Sequence, residues 1–122
     1  MENSETRIVF ILVRQGKLQE GCAALIREIP YTMTYIFEEW YLAENQFSNI
    51  KPKLIVIEAA VFTPQYEVDI IHLIPKGVRT MVLEDNPLFI DQWKAAGADM
   101  VVLVGELAPV LFSKIIQLLS LD

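Results

Sequence analysis

The chain has 122 residues, 53% of them hydrophobic and 21% charged, enough apolar material to fill one core without a structural metal or a disulfide. Intrinsic disorder, collagen and disulfide-scaffold classes are thereby excluded. Ten Lys and Arg against sixteen Asp and Glu leave a formal net charge of −6, which repels phosphate backbones and anionic lipid, so neither direct nucleic-acid binding nor membrane binding is expected.

The polar opening Met1 to Arg7 is followed by Ile8 to Val13, an apolar run too short for the core of an export signal and composed like a strand covered on both faces. The next segment places Leu18, Cys22, Leu25, Ile26 and Ile29 on one helical face, with Lys17, Glu20, Arg27 and Glu28 opposite, and Pro30 ends it. Thr32 to Phe37 has strand composition with some polar positions. Glu38 to Asn49 reads as a second helix that offers two apolar sides, Leu42, Gln46 and Asn49 or Ala43, Phe47 and Ile50, before Lys51-Pro52 stops it. Its Trp40, Tyr41 and Phe47, with Tyr31 and Tyr35 nearby, are either core or a docking face.

Leu54 to Ile57 is a second fully apolar strand, and Gln65 to Ile74 repeats Val68 and Ile71 at helical spacing until Pro75-Lys76-Gly77. Thr80 to Leu83 reads as a strand. Asn86-Pro87 makes a cap and first turn for a helix through Phe89, Ile90, Trp93 and Ala96, which Gly97 terminates in the left-handed region. Met100 to Val104 is the last strand, and Leu107 to Leu121 the last helix, with Leu111, Ile115, Leu118 and Leu119 as its buried stripe. None of these runs reaches the roughly 18 apolar residues of a membrane span. With the lone Cys22 unable to pair and lacking a cationic neighbour to activate it, a soluble cytoplasmic protein is expected.

Strand and helix alternate five times with no linker long enough to separate domains, so residues 1–122 are expected to be a single α/β domain with a doubly wound parallel sheet. In such sheets function gathers at the carboxyl ends of the strands. Arg14, Gln15 and Gly16 follow the first strand, Glu58 the third, Glu84 and Asp85 the fourth, Gly105 and Glu106 the fifth. Only one glycine lies near Arg14, which argues against a phosphate-cradling loop and a nucleotide site.

Pro52-Lys-Leu-Ile-Val-Ile-Glu58, Ala96-Gly-Ala-Asp99 before Met100 to Val104, and the last helix together resemble the receiver domain of two-component response regulators over nearly the whole length. The resemblance implies the flavodoxin-like (βα)5 receiver fold with strand order 2-1-3-4-5. Receivers hold Mg²⁺ on an acidic pair after strand one, accept phosphoryl on an Asp ending strand three, and carry a Ser or Thr after strand four and a Lys after strand five. Here those places fall on Val13 and Arg14 (or Arg14 and Gln15), on Glu58, on Glu84 and on Val104, with Gly105 where the family has proline. The resemblance is thus to an atypical pseudo-receiver. It implies a non-enzymatic signalling module with a degenerate phosphoacceptor pocket of Arg14, Glu58, Glu84 and Val104, no catalytic residue, no metal and no cofactor.

Such a module is expected to act through a protein partner or a second copy of itself, across a face of helix four, strand five and helix five bearing Leu88, Phe89, Val110 and Phe112. Arg14 and Glu58 follow adjacent strands and are expected within ion-pair reach. A plainer reading makes Glu58 a solvated loop acid, Arg14 a solvated helix entrance, and Glu84 and Asp85 dipole partners of the following helix. A reading from another class uses Glu58 and Glu84 with Arg14 as the acid–base or ligand-binding centre of a small enzyme. His72, in a helix away from the strand ends, is read as a surface residue, and Cys22 as core.

Overall fold

The computed structural model describes residues 6–62 and 68–120, with the backbone alone at 68 and 69. Five strands, β1 (Arg7–Leu12), β2 (Thr32–Phe37), β3 (Leu54–Glu58), β4 (Arg79–Glu84) and β5 (Met100–Leu103), form one parallel sheet in the order β2-β1-β3-β4-β5. This is the flavodoxin-like order of the receiver fold. The composition of each strand follows from its place. All five residues of the inner strand β3 are buried, so it needs no polar alternation, whereas β2 and β5 at the sheet edges keep half-open positions and carry the less regular sequences.

Helices α1 (Lys17–Arg27) and α4 (Ala108–Leu119) cover one face of the sheet. Cys22, Ala23 and Ile26 from α1 and Leu111, Ile115, Leu118 and Leu119 from α4 close over Val9, Ile11, Leu54, Val56, Met81 and Leu83. The opposite face receives α2 (Trp40–Gln46), α3 (Ile90–Ala96) and the 3₁₀ segments Ala59–Phe62, Val68–Leu73 and Pro87–Phe89. Its core is aromatic. Phe10 lies 4.9 Å from Phe37, 5.7 Å from Phe47 and 5.8 Å from Tyr35 by ring centroids, and Trp40, Phe62 and Trp93 continue the chain of rings. Such ring pairs add about 0.5–1.5 kcal/mol each beyond their burial. Most of the aromatic excess around α2 is therefore packing, while Tyr31 and Tyr41 stay exposed.

Of the two sides open to the second helix, the one with Ala43, Phe47 and Ile50 faces the sheet, and Leu42 is left exposed. The regular helix is also shorter than the expected 38–49. Asn86 caps as expected: its Oδ1 accepts the Leu88 amide at 3.0 Å, the chain makes a 3₁₀ turn over Pro87–Phe89, α3 follows, and Gly97 ends it with φ of 115°.

One expected element changes type. The helix read over 65–74 is a 3₁₀ helix at Val68–Leu73, and residues 65–67 lie outside the described residues. Ile70 and Ile71 are β-branched and lose rotamer freedom in an α-helix. A repeat of three residues brings Ile71 and Ile74 to one side, where both pack on the core, and the Ile74 amide donates to the Ile71 carbonyl at 3.2 Å.

Candidate functional site

The carboxyl ends of β1 and β3 meet at one ion pair. β3 is buried throughout, and its alternation sends Leu54 and Val56 to the α1/α4 face, so Glu58 emerges on that same face beside the β1–α1 loop. There one carboxylate takes three bonds from one residue. Oε1 accepts the Arg14 backbone amide at 2.9 Å and Nε at 3.2 Å, and Oε2 accepts Nη2 at 2.8 Å. The Glu58 side chain is 9% exposed and that of Arg14 60%, so the acid is held under a guanidinium lid that faces water. The pairing expected from adjacent strands is present.

The charge of Glu58, through the hydrogen bonds first and Coulomb attraction second, raises the Arg14 pKa and keeps the guanidinium protonated, with Asp85 adding to the effect. A crevice of about 260 Å³ lies alongside, lined by Arg14, Gln15, Gly16, Lys17, Leu18 and Glu58. Gln19 fixes the rim by donating Nε2–H to the Val13 carbonyl at 2.8 Å.

Glu84 does not join this group. Glu58 registers with Leu83 across the β3–β4 ladder, so Glu84, one residue on, points to the opposite face. It is fully buried there and accepts the Trp93 indole N–H at 2.8 Å and the Asn86 amide at 3.0 Å. Asp85 has the parity of Leu83, and it is the acid whose charge reaches Arg14. The two glutamates needed for an acid–base pair are thus separated by the sheet. Val104 follows β5 half-open to solvent and gives its amide to the Glu84 carbonyl at 2.9 Å. Gly105 next to it has φ of 100°, an angle no proline ring can adopt. Sequence reasoning passed over Trp93 as a partner for Glu84. Its signal is chemical: a buried indole N–H needs an acceptor, and Glu84 is a carboxylate on the strand it covers.

Mg²⁺ needs several oxygen ligands in octahedral array, and these residues do not supply them. Both Glu58 oxygens are engaged by Arg14, whose positive charge repels a cation, and Val13 is buried and apolar. Among the described residues no three His, Cys, Asp or Glu side chains gather as metal ligands. Cys22 is buried, and desolvation, with a smaller contribution from the Glu58 charge, pushes its thiol from 9.0 up to about 11. His72 lies exposed on the 3₁₀ segment.

The four residues expected to form an association face divide by burial. Leu88 is 82% exposed and Val110 is open, whereas Phe89 packs against Trp93's cluster and Phe112 against the α1/α4 core. Among the described residues no helix is long and apolar enough to cross a membrane.

No family model matches the sequence, and no curated protein matches it. Solved structures do match in fold. A LuxR-family two-component response regulator from Aurantimonas sp. SI85-9A1 superposes with a TM-score of 0.80 at 16% identity, over 95% of this chain and 86% of that one. A response regulator from Thermotoga maritima gives 0.78 at 15% identity, over 95% and 99%. The N-terminal domain of a response regulator/sensory box/GGDEF 3-domain protein from Carboxydothermus hydrogenoformans gives 0.72 at 16% identity, over 93% and 94%. The chain therefore has the fold of response-regulator receiver domains.

Proposed function

We propose that the chain is a receiver-fold signalling module of the pseudo-receiver kind, which acts by binding protein and takes no phosphoryl group through a metal-dependent aspartate. The observation that carries this reading is the Arg14–Glu58 pair: a guanidinium bonded to both oxygens of the acid that ends β3. Phosphoryl transfer depends on cations that neutralise the moving oxygens and on an acceptor free to attack. With both oxygens bonded to Arg14 and no Mg²⁺ ligand set beside it among the described residues, Glu58 meets neither need.

In this reading the protein-binding face is formed by α3, β5 and α4. Leu88, Leu103, Val104, Leu107, Val110 and Ile116 leave apolar surface open there, and Phe89 and Phe112 support it from below. Incubation with acetyl phosphate and Mg²⁺, followed by intact-mass measurement, tests the first half; the mass is expected to stay unchanged, and a stoichiometric gain of one phosphoryl group overturns it. The second half is tested by partner capture with wild type and with Val110→Asp, which is expected to abolish a specific contact.

A further inference from the structure

β2 is an edge strand, and among the described residues no backbone hydrogen bond reaches its outer side. The Arg7 amide donates to the Tyr31 carbonyl at 2.8 Å and Arg7 registers with Thr32, so the amides and carbonyls of Thr32, Thr34 and Ile36 point away from β1. The strand, Thr-Met-Thr-Tyr-Ile-Phe, holds no charged side chain and no proline. Edges that remain solitary are ordinarily guarded by such residues. Met33 and Ile36, on opposite faces of the strand, are 49% and 46% exposed.

The flanks of the strand carry opposite charge. At its start the Arg7 guanidinium donates to the Pro30 carbonyl at 3.4 Å, and Arg27 ends α1 just before. At its end stand the exposed Glu38 and Glu39. A second copy aligned parallel would set acid against acid and arginine against arginine. Aligned antiparallel, with Thr34 opposite Thr34 of the copy, the outward groups of Thr32 meet those of Ile36, Met33 lies beside Tyr35, and Pro30 with its arginine lies opposite Glu38.

We propose that β2 pairs antiparallel with β2 of a second copy of this chain about a two-fold axis at Thr34, joining the two sheets into one. The pairing uses the edge farthest in strand order from β5, so it is independent of the protein-binding face proposed above.

Sedimentation velocity on the full chain over a wide concentration range is expected to show a reversible monomer–dimer equilibrium. Thr34→Pro removes only an outward amide, since that N–H does not bond to β1, and is expected to weaken the dimer by more than about tenfold. Glu38→Lys, which sets a cation opposite Arg7, weakens it in the same direction, and Leu88→Asp on the other face leaves it unchanged. Thr34→Cys supplies a reading that does not depend on proline being tolerated. Mild oxidation is expected to cross-link it across the axis, while Met33→Cys, offset from its own copy, does not cross-link, and wild type stays uncross-linked because Cys22 is buried. A chain that remains monomeric at every concentration overturns the proposal. So does a dimer indifferent to Thr34→Pro, or one that cross-links equally through positions 33 and 34.

Discussion

Two glutamates stand at the carboxyl edge of the same sheet, each ending its strand, and their surroundings have almost nothing in common. Glu58 faces α1 and is held by a charged, water-facing arginine and that arginine's own amide. Glu84 faces α3, is fully buried, and is held by a neutral indole and a loop amide. The pleat alone divides them, because the register that pairs Glu58 with Leu83 turns Glu84 to the other side. One step of register thus sets a strand-end carboxylate under a water-facing guanidinium or ties it into the core.

The sharpest test of that division is Trp93→Phe. Removing the indole N–H deprives the buried Glu84 of a donor and leaves a gap beside Ala59, Ile71 and Val82, and is expected to cost about 2–4 kcal/mol in urea unfolding. A loss below that of Arg14→Gln would mean that the two acids are not held differently.

Second in size is a pH effect on the Glu58 side of the sheet. Cys22 has its folded pKa raised to about 11 from 9.0, so the native state keeps the thiol proton after the unfolded chain has released it. The associated stability is whole below pH 9 and is lost as pH climbs through about 11, at up to about 1.4 kcal/mol per pH unit for one proton. Thermal melts of wild type and Cys22→Ala across this window are expected to diverge, with the variant showing the flatter dependence.

Smaller again is Glu58→Gln. The amide oxygen can still take the Arg14 backbone N–H, but its NH₂ group then confronts the guanidinium, and a loss of about 1–2 kcal/mol is expected by chemical denaturation. Arg14→Gln comes last, at about 1 kcal/mol or less, because a water-facing guanidinium gains little from a pair that solvent screens. If Arg14→Gln exceeds Glu58→Gln, the lid is structural and the contrast with Glu84 narrows.

What could be read from the sequence follows the same physics. Continuous apolar runs exposed the inner strands, and the Leu111, Ile115, Leu118 and Leu119 stripe of α4 is buried as its spacing requires. The Arg14–Glu58 pair was legible because both residues follow adjacent strands and needed only proximity. Placing Glu84 demanded the relative register of β3 and β4, a non-local quantity that no local pattern encodes. Between 68 and 74 the apolar residues fit a period of three as well as one near four, and the described part, Val68–Leu73, takes the tighter helix. Leu88 and Val110 were legible as open apolar positions, but Phe89 and Phe112 were not separable from them, since neighbouring residues on a helix differ in burial by rotation alone.

The contact between Glu58 Oε1 and the backbone N–H of Arg14 carries one more consequence. A carboxylate that grips the main chain does not depend on which side chain hangs from it. Any residue but proline at position 14 offers the same amide, so the path by which β1 turns into α1 is dictated from position 58. Variation at 14 changes the electrical sign of this edge while leaving its shape standing, and only the loss of an acceptor oxygen at 58 releases the loop itself.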